Sequence, residues 1–180
     1  MAKKMHKKKH LNERLKTLLW FLIKFNLLAI PLYIILFLNL SYEPLQSFFA
    51  SITYGTLKLF NYNVAVDSYR ISVLMGDQLV QIDISWDSTG WKSLYALFAL
   101  VIATPISTYN KKLRFLLIGL PAIFVLNFIR ILTTILISLN FGFQYFDIVH
   151  TILWREGLIL AVVGIWYYWL WKEKVKINKK

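Results

Sequence analysis

The chain contains no cysteine. That absence removes disulfides, thiolate metal sites and thiol nucleophiles together. Proline and glycine are scarce, at four and seven residues in 180, and no flexible linker or internal repeat is visible. Acids are scarce too: nine Asp and Glu stand against twenty-one Lys and Arg, a formal charge of +12. Of the three histidines, His6 and His10 lie in a basic stretch that suggests no catalysis. No metal and no cofactor are expected.

Apolar residues make up 58% of the chain, and mean hydropathy is +0.55. An ordinary soluble domain carries roughly 45–50% apolar residues even with glycine counted. A small fold leaves much of its surface wet and cannot hide so many, which excludes a soluble cytosolic enzyme. Seven Trp, ten Tyr and thirteen Phe exclude a disordered basic tail. A basic, hydropathic chain is then a nucleic-acid binder or an integral membrane protein.

The placement of charge separates these two classes. Sixteen basic residues fall in three clusters: an N-terminal arm (Lys3 to Lys24), a middle loop (Lys111, Lys112, Arg114) and a tail (Lys172 to Lys180). Long apolar runs separate the clusters, whereas nucleic-acid binding needs a continuous basic face interleaved with aromatics. No nucleic-acid partner is expected. Basic loops stay on the cytoplasmic side of a membrane, so the clusters read as topology signals.

The expected architecture is all-α and polytopic: one integral membrane domain over residues 1–180, with about four transmembrane helices. The spans run roughly 18–40, 91–107, 113–139 and 151–171, against a requirement of about 20 residues each. Residues 1–17 form a basic cytoplasmic arm and 172–180 a basic cytoplasmic tail. A cleaved signal peptide does not fit the first span, because its apolar stretch exceeds the usual signal core and no small-x-small site follows. The third span is long enough to tilt or to break near Pro121.

Residues 44–60 are apolar on one side. A fifth crossing there would throw Lys111, Lys112 and Arg114 outside, so they are expected as an interfacial or re-entrant helix on the outer face. Residues 61–87 partly alternate between apolar and polar, with Gly76-Asp77 between two runs. A β-hairpin on the outer face is expected.

Polar residues at the outer end of these spans invite a functional reading. Asp87-Ser88-Thr89-Gly90 opens the second span. Asn127 and Arg130 lie one turn apart on one face of the third. Arg130 is sixteen residues beyond Arg114, about 24 Å along a helix, which puts it in the outer leaflet. His150 stands at the mouth of the fourth span. Each has a plain structural alternative. Ser88 and Thr89 could cap a helix, Arg130 could pair with Glu156 inside the membrane, and His150 could be a solvated interfacial residue.

Taken together and in this order, the residues resemble the exosortase/archaeosortase membrane transpeptidases. Asp87-Ser88-Thr89-Gly90 is similar to that family's Cys-Thr/Ser-Gly motif, Asn127-Phe128-Ile129-Arg130 to its Asn-x-x-Arg motif, and His150 to its later polar residue. The similarity covers about residues 85–165. It implies a membrane peptidase that recognises the C-terminal tail of an exported protein: a signature, a transmembrane helix and a basic cluster. Transfer to a membrane lipid or another acceptor at the outer face of the cell membrane would follow. By the same resemblance Ser88 is the nucleophile, His150 the general acid or base, and Arg130 the clamp on the carbonyl. Asn127, Thr89 and Gly90 support them.

The family's nucleophile is a thiol, and here Ser88 takes its place. Three explanations stand side by side: a working serine variant, an inactive protein retained for binding or assembly, and an engineered Cys-to-Ser form.

Overall fold

The computed structural model describes residues 2–75, 78–142, 144 and 157–178, with side chains described from residue 12 to 175. The protein is mostly helical. Among the described residues, five helices (α1 Ala2–Phe37, α2 Glu43–Leu59, α3 Trp91–Ala103, α4 Tyr109–Phe141, α5 Leu158–Asn178) accompany three strands (β1 Asn63–Asp67, β2 Arg70–Met75, β3 Gln78–Asp83). A short 3-10 turn, Trp86–Thr89, joins β3 to α3.

In a glycine-poor chain, asparagine ends two of the helices. Asn39 and Asn61 have φ of 49° and 63°. After α1, the Leu40 amide donates to the Ile35 carbonyl and Asn39 to Leu36; after α2, Tyr62 donates to Leu57 and Asn61 to Lys58. Both closures have the two-bond Schellman pattern, which needs a left-handed residue that asparagine tolerates better than other side chains. Two proline-bearing helices stay continuous: α1 runs through Pro31 and α4 through Pro121. Of the two outcomes open for the third span, tilting or breaking near Pro121, the break does not occur.

The expected hairpin is a three-stranded antiparallel sheet in the order β1-β2-β3. An additional two-residue turn, Ser68-Tyr69, splits the first alternating run, pairing Asp67 with Arg70. Ser68 takes φ 52° there. Serine is not a usual residue for a left-handed turn position, which is why this turn was not expected. Arg70 then faces Asp83 across β2 and β3 and forms a two-pronged ion pair, 2.7 and 3.1 Å.

Two hydrophobic cores divide the protein. One packs Phe49, Ala50 and Leu57 of α2 and Ile71, Val73 and Ile82 of the sheet against Ile131, Ile135 and Leu139 of α4. Gln46 of α2 is buried and donates to the Ile84 carbonyl (2.9 Å), and Asn140 of α4 donates to the Tyr62 hydroxyl (2.8 Å). The helix expected at 44–60 is therefore present, seated on the sheet and the second half of α4. The other core joins Leu97 and Val101 of α3 to Leu116 and Ile123 of α4 and Val162 and Trp169 of α5. Buried Glu173 of α5 accepts from Lys111 (3.2 Å), tying the tail helix to the start of α4.

Residues 12–37 and 109–141 are long and apolar enough to cross a bilayer. None of the most apolar window of α1 is buried within the protein. The helix touches α3 through the Tyr95 hydroxyl, which donates to the Leu28 carbonyl (2.6 Å). A helix that is apolar all round yet unburied by its own chain is suited to lipid. At thirteen residues, α3 is shorter than a standard span.

Candidate active site

Ser88 sits in the 3-10 turn where the sheet ends and α3 begins. Ser85 starts this turn in extended conformation, and its hydroxyl accepts from the Ser88 amide (3.2 Å). The same hydroxyl lies 2.8 Å from the Ser88 Oγ. Thr89 is fully buried and donates to the Trp86 carbonyl (2.8 Å), closing the turn from inside. The indoles of Trp86 and Trp91 stack at 5.1 Å across it. Asp87 pairs with Lys92 at 2.8 Å.

Gly90 links the turn to α3 at φ 73°. A left-handed residue suits glycine, and a second demand is steric. A β-carbon at this position would meet all three outer atoms of the Asn127 side chain within 2.9 Å. The glycine lets α4 approach the turn closely enough for Asn127 and Arg130 to reach it.

Both do reach it, and both find the same atom. Arg130 Nη2 donates to the main-chain carbonyl oxygen of Ser88 at 2.7 Å, and Asn127 Nδ2 donates to it at 3.1 Å. The spacing of three residues along α4 puts the two side chains on one helix face. Asn127 is 1% exposed and Arg130 5%. Thr134, one turn further, donates to the Arg130 carbonyl (2.9 Å).

The arginine has capacity left over. Its Nε and Nη1, and the Asn127 Oδ1, are buried and have no hydrogen-bond partner among the described residues. Buried cations are costly unless paired or hydrogen-bonded, and among the described residues no carboxylate pairs with Arg130. Beside it lies a pocket of about 30 Å³, lined by Ser88, Arg130, Thr134 and Asp83 with isoleucines of the sheet and α4. That volume accommodates a water-sized group. The arrangement offers unused cationic donors next to a half-buried hydroxyl, at the start of a helix whose amides favour negative charge.

Of the residues singled out in the sequence, Ser88, Thr89, Gly90, Asn127 and Arg130 come together. His150 and Glu156 lie outside the described residues. Sequence reading did not find Ser85, although a serine three residues before Ser88 is a capping pattern. Nor did it find the Gln46 bond that carries α2 to the strand leading into the site. Among the described residues, no group of three or more acidic or histidine side chains could hold a metal.

A family model described as transmembrane exosortase matches residues 11–170. No curated protein matches the chain, and no solved structure does.

Proposed function

The chain belongs to the transmembrane exosortase family, and from that premise we propose that it cleaves C-terminal sorting tails of exported proteins at the outer face of the cell membrane and transfers them to an acceptor. Membership makes it a membrane protein of a peptidase and transpeptidase family that processes sorting signals. The topology proposed has about four spans, both termini cytoplasmic, and the sheet with α2 outside. The observation that carries the site is the convergence of Asn127 and Arg130 on the Ser88 carbonyl, at distances of 3.1 and 2.7 Å.

In the proposed reaction the Ser88 hydroxyl attacks the scissile carbonyl while His150 takes its proton. The developing oxyanion is met by Arg130, whose Nε and Nη1 have no partner among the described residues. Collapse expels the amine, which receives the proton from His150, and leaves the substrate as an ester on Ser88. A hydroxyl or amine of the acceptor, such as a membrane lipid, then attacks the ester, giving its proton to His150; the bond to Ser88 Oγ breaks, and His150 returns the proton to the leaving serine oxygen. Serine depends on an aligned base more than a thiol does, because its hydroxyl is not ionised near neutrality.

Ser88 in the place of a cysteine also supports a second reading, in which the same groove holds a sorting tail without cutting it, in a natural inactive form or a Cys-to-Ser form. Co-expression with a substrate ending in a signature, a transmembrane helix and a basic cluster tests both. The catalytic reading expects a shortened product from the parent and none from Ser88→Ala. An uncut substrate that co-purifies equally with both supports binding alone.

A further inference from the structure

At the end of α3 remote from Ser88 lies a cavity of about 730 Å³ between the first turns of the apolar part of α1, the α3–α4 connection and α5. That volume is typical of a small-molecule site. The thirteen residues of α3 separate it from the candidate active site, about 20 Å at 1.5 Å per residue.

Its walls divide by chemistry. The floor is apolar and aromatic: Phe21 of α1 and Trp166 of α5 stack with ring centres 6.2 Å apart, and Leu18 and Leu170 extend the same surface. The Trp166 indole is already committed to the Thr104 hydroxyl (3.0 Å), which itself donates to the Leu100 carbonyl (2.6 Å). The rim is charged. Arg14 comes from α1 and Lys174 from α5, and neither has a hydrogen-bond or ion-pair partner among the described residues. Among the described residues Glu13 is the single carboxylate on the rim, so the described rim carries a net positive charge. Lys111, Lys112, Arg114 and Lys172 lie at the same end of the helices.

We propose that this cavity binds an anionic glycerophospholipid of the cytoplasmic leaflet, with its phosphate between Arg14 and Lys174 and its acyl chains along Leu18, Phe21, Trp166 and Leu170. Basic pockets between membrane helices on the cytoplasmic side suit such headgroups, because that leaflet is anionic. An apolar floor beneath a cationic rim matches a lipid, whose charge and hydrocarbon are joined in that order. A free phosphate would leave the floor bare. The basic end of a substrate tail would be repelled by Arg14 and Lys174. The lipid bound here is distinct from any acceptor, since it lies in the opposite leaflet from Ser88. The inference rests on the proposed topology, with residues 14 and 174 on the cytoplasmic side.

Native mass spectrometry of the full chain, titrated with dioleoyl phosphatidylglycerol or dioleoyl phosphatidylcholine, provides the test. One phosphatidylglycerol should be retained, with a preference of about thirtyfold for two headgroup contacts. Arg14→Ala with Lys174→Ala should bring the preference to parity. Arg14→Lys with Lys174→Arg should preserve it, which guards against a folding defect in the alanine pair. Arg114→Ala with Lys172→Ala removes the same charge away from the cavity and should leave the preference intact. Equal losses in the two alanine pairs would mean a diffuse basic belt and overturn the proposal. Displacement of the lipid by a Lys- and Arg-rich peptide would overturn it as well and assign the cavity to the substrate tail. Ser88→Ala should bind lipid like the parent, so a failed processing assay and a failed lipid assay are read separately.

Discussion

A β-carbon on Gly90 would stand 2.6 Å from the Cγ of Asn127. Two short motifs on different helices are thus parts of one contact: glycine at the head of α3 is what admits the asparagine of α4. Gly90→Ala should accordingly fail twice, through the left-handed backbone, at about 1–3 kcal/mol, and through the displaced Asn127. Thermal unfolding should fall, and so should substrate processing. Adding Asn127→Gly removes the collision but not the backbone strain. The double variant should therefore be more stable than the sum of the single effects, while remaining inactive. Simple additivity would show that the two residues are not in contact.

Arg130 offers a sharper separation of structure from chemistry. Its removal frees the Ser88 carbonyl of a charge-assisted bond, about 1.5–3 kcal/mol, but also relieves a buried cation. Arg130→Ala should accumulate in the membrane at a level near that of the parent while processing falls about 100- to 1,000-fold. Arg130→Lys should fail similarly, because an ammonium cannot both hold the Ser88 carbonyl and present a planar fork to a second oxygen. If Arg130→Ala and Glu156→Gln instead lose protein level equally, the arginine serves an ion pair.

Much of this contact is legible in the sequence. Asn127 and Arg130 are spaced to share a helix face, and Ser88-Thr89-Gly90 stands at a helix start, so chain order and periodicity together brought them near one another. What they touch was not legible. Nothing in the residue types says that two donors converge on a main-chain oxygen, because the backbone of every residue offers the same carbonyl. The third strand was hidden for a local reason, a serine in a left-handed turn. The seat of α2 on the sheet was hidden because it depends on Gln46 meeting a carbonyl 38 residues away.

The proposed topology predicts a pattern of accessibility. The chain has no cysteine, so single cysteines can be introduced without background. Cysteines at positions 2, 110 and 178 should react with a membrane-impermeant thiol reagent only after the cells are opened. Those at positions 77 and 145 should react in intact cells. A protected residue 77 would put the sheet and Ser88 on the cytoplasmic side and end the outward-facing mechanism.

The sheet carries a pH dependence of its own. The Arg70 guanidinium, hydrogen-bonded to Asp83, holds that carboxyl below its ordinary value. A carboxylate whose folded pKa is depressed stabilises the fold above its unfolded pKa, about 4, and loses that contribution as pH falls through the folded value. Both partners are nearly half exposed, so the effect is small. The melting temperature of the parent should exceed that of Asp83→Asn at pH 7, and the difference should shrink as the pH falls below about 4. A constant difference would mean that the asparagine acts through packing and not through charge.

The final expectation concerns the identity of the nucleophile. Ser88 is half-buried beside the pocket that Arg130 lines, and its Oγ is within 2.8 Å of the Ser85 hydroxyl. A serine neighbour is neither a strong base nor a cation, so it does little to ionise a hydroxyl. A thiol at the same position starts from a pKa near 8.5 and is lowered further by a nearby cation and a helix start. Ser88→Cys should therefore match or exceed the parent in processing and become sensitive to iodoacetamide. His150→Ala should abolish processing in the serine form but only reduce it in the Ser88→Cys form, because only the hydroxyl wholly depends on an external base. If His150→Ala harms both forms equally, His150 has a role other than accepting the nucleophile's proton. If Ser88→Cys and the parent both leave a matched substrate uncut, Ser88 is a helix-capping residue in a binding protein.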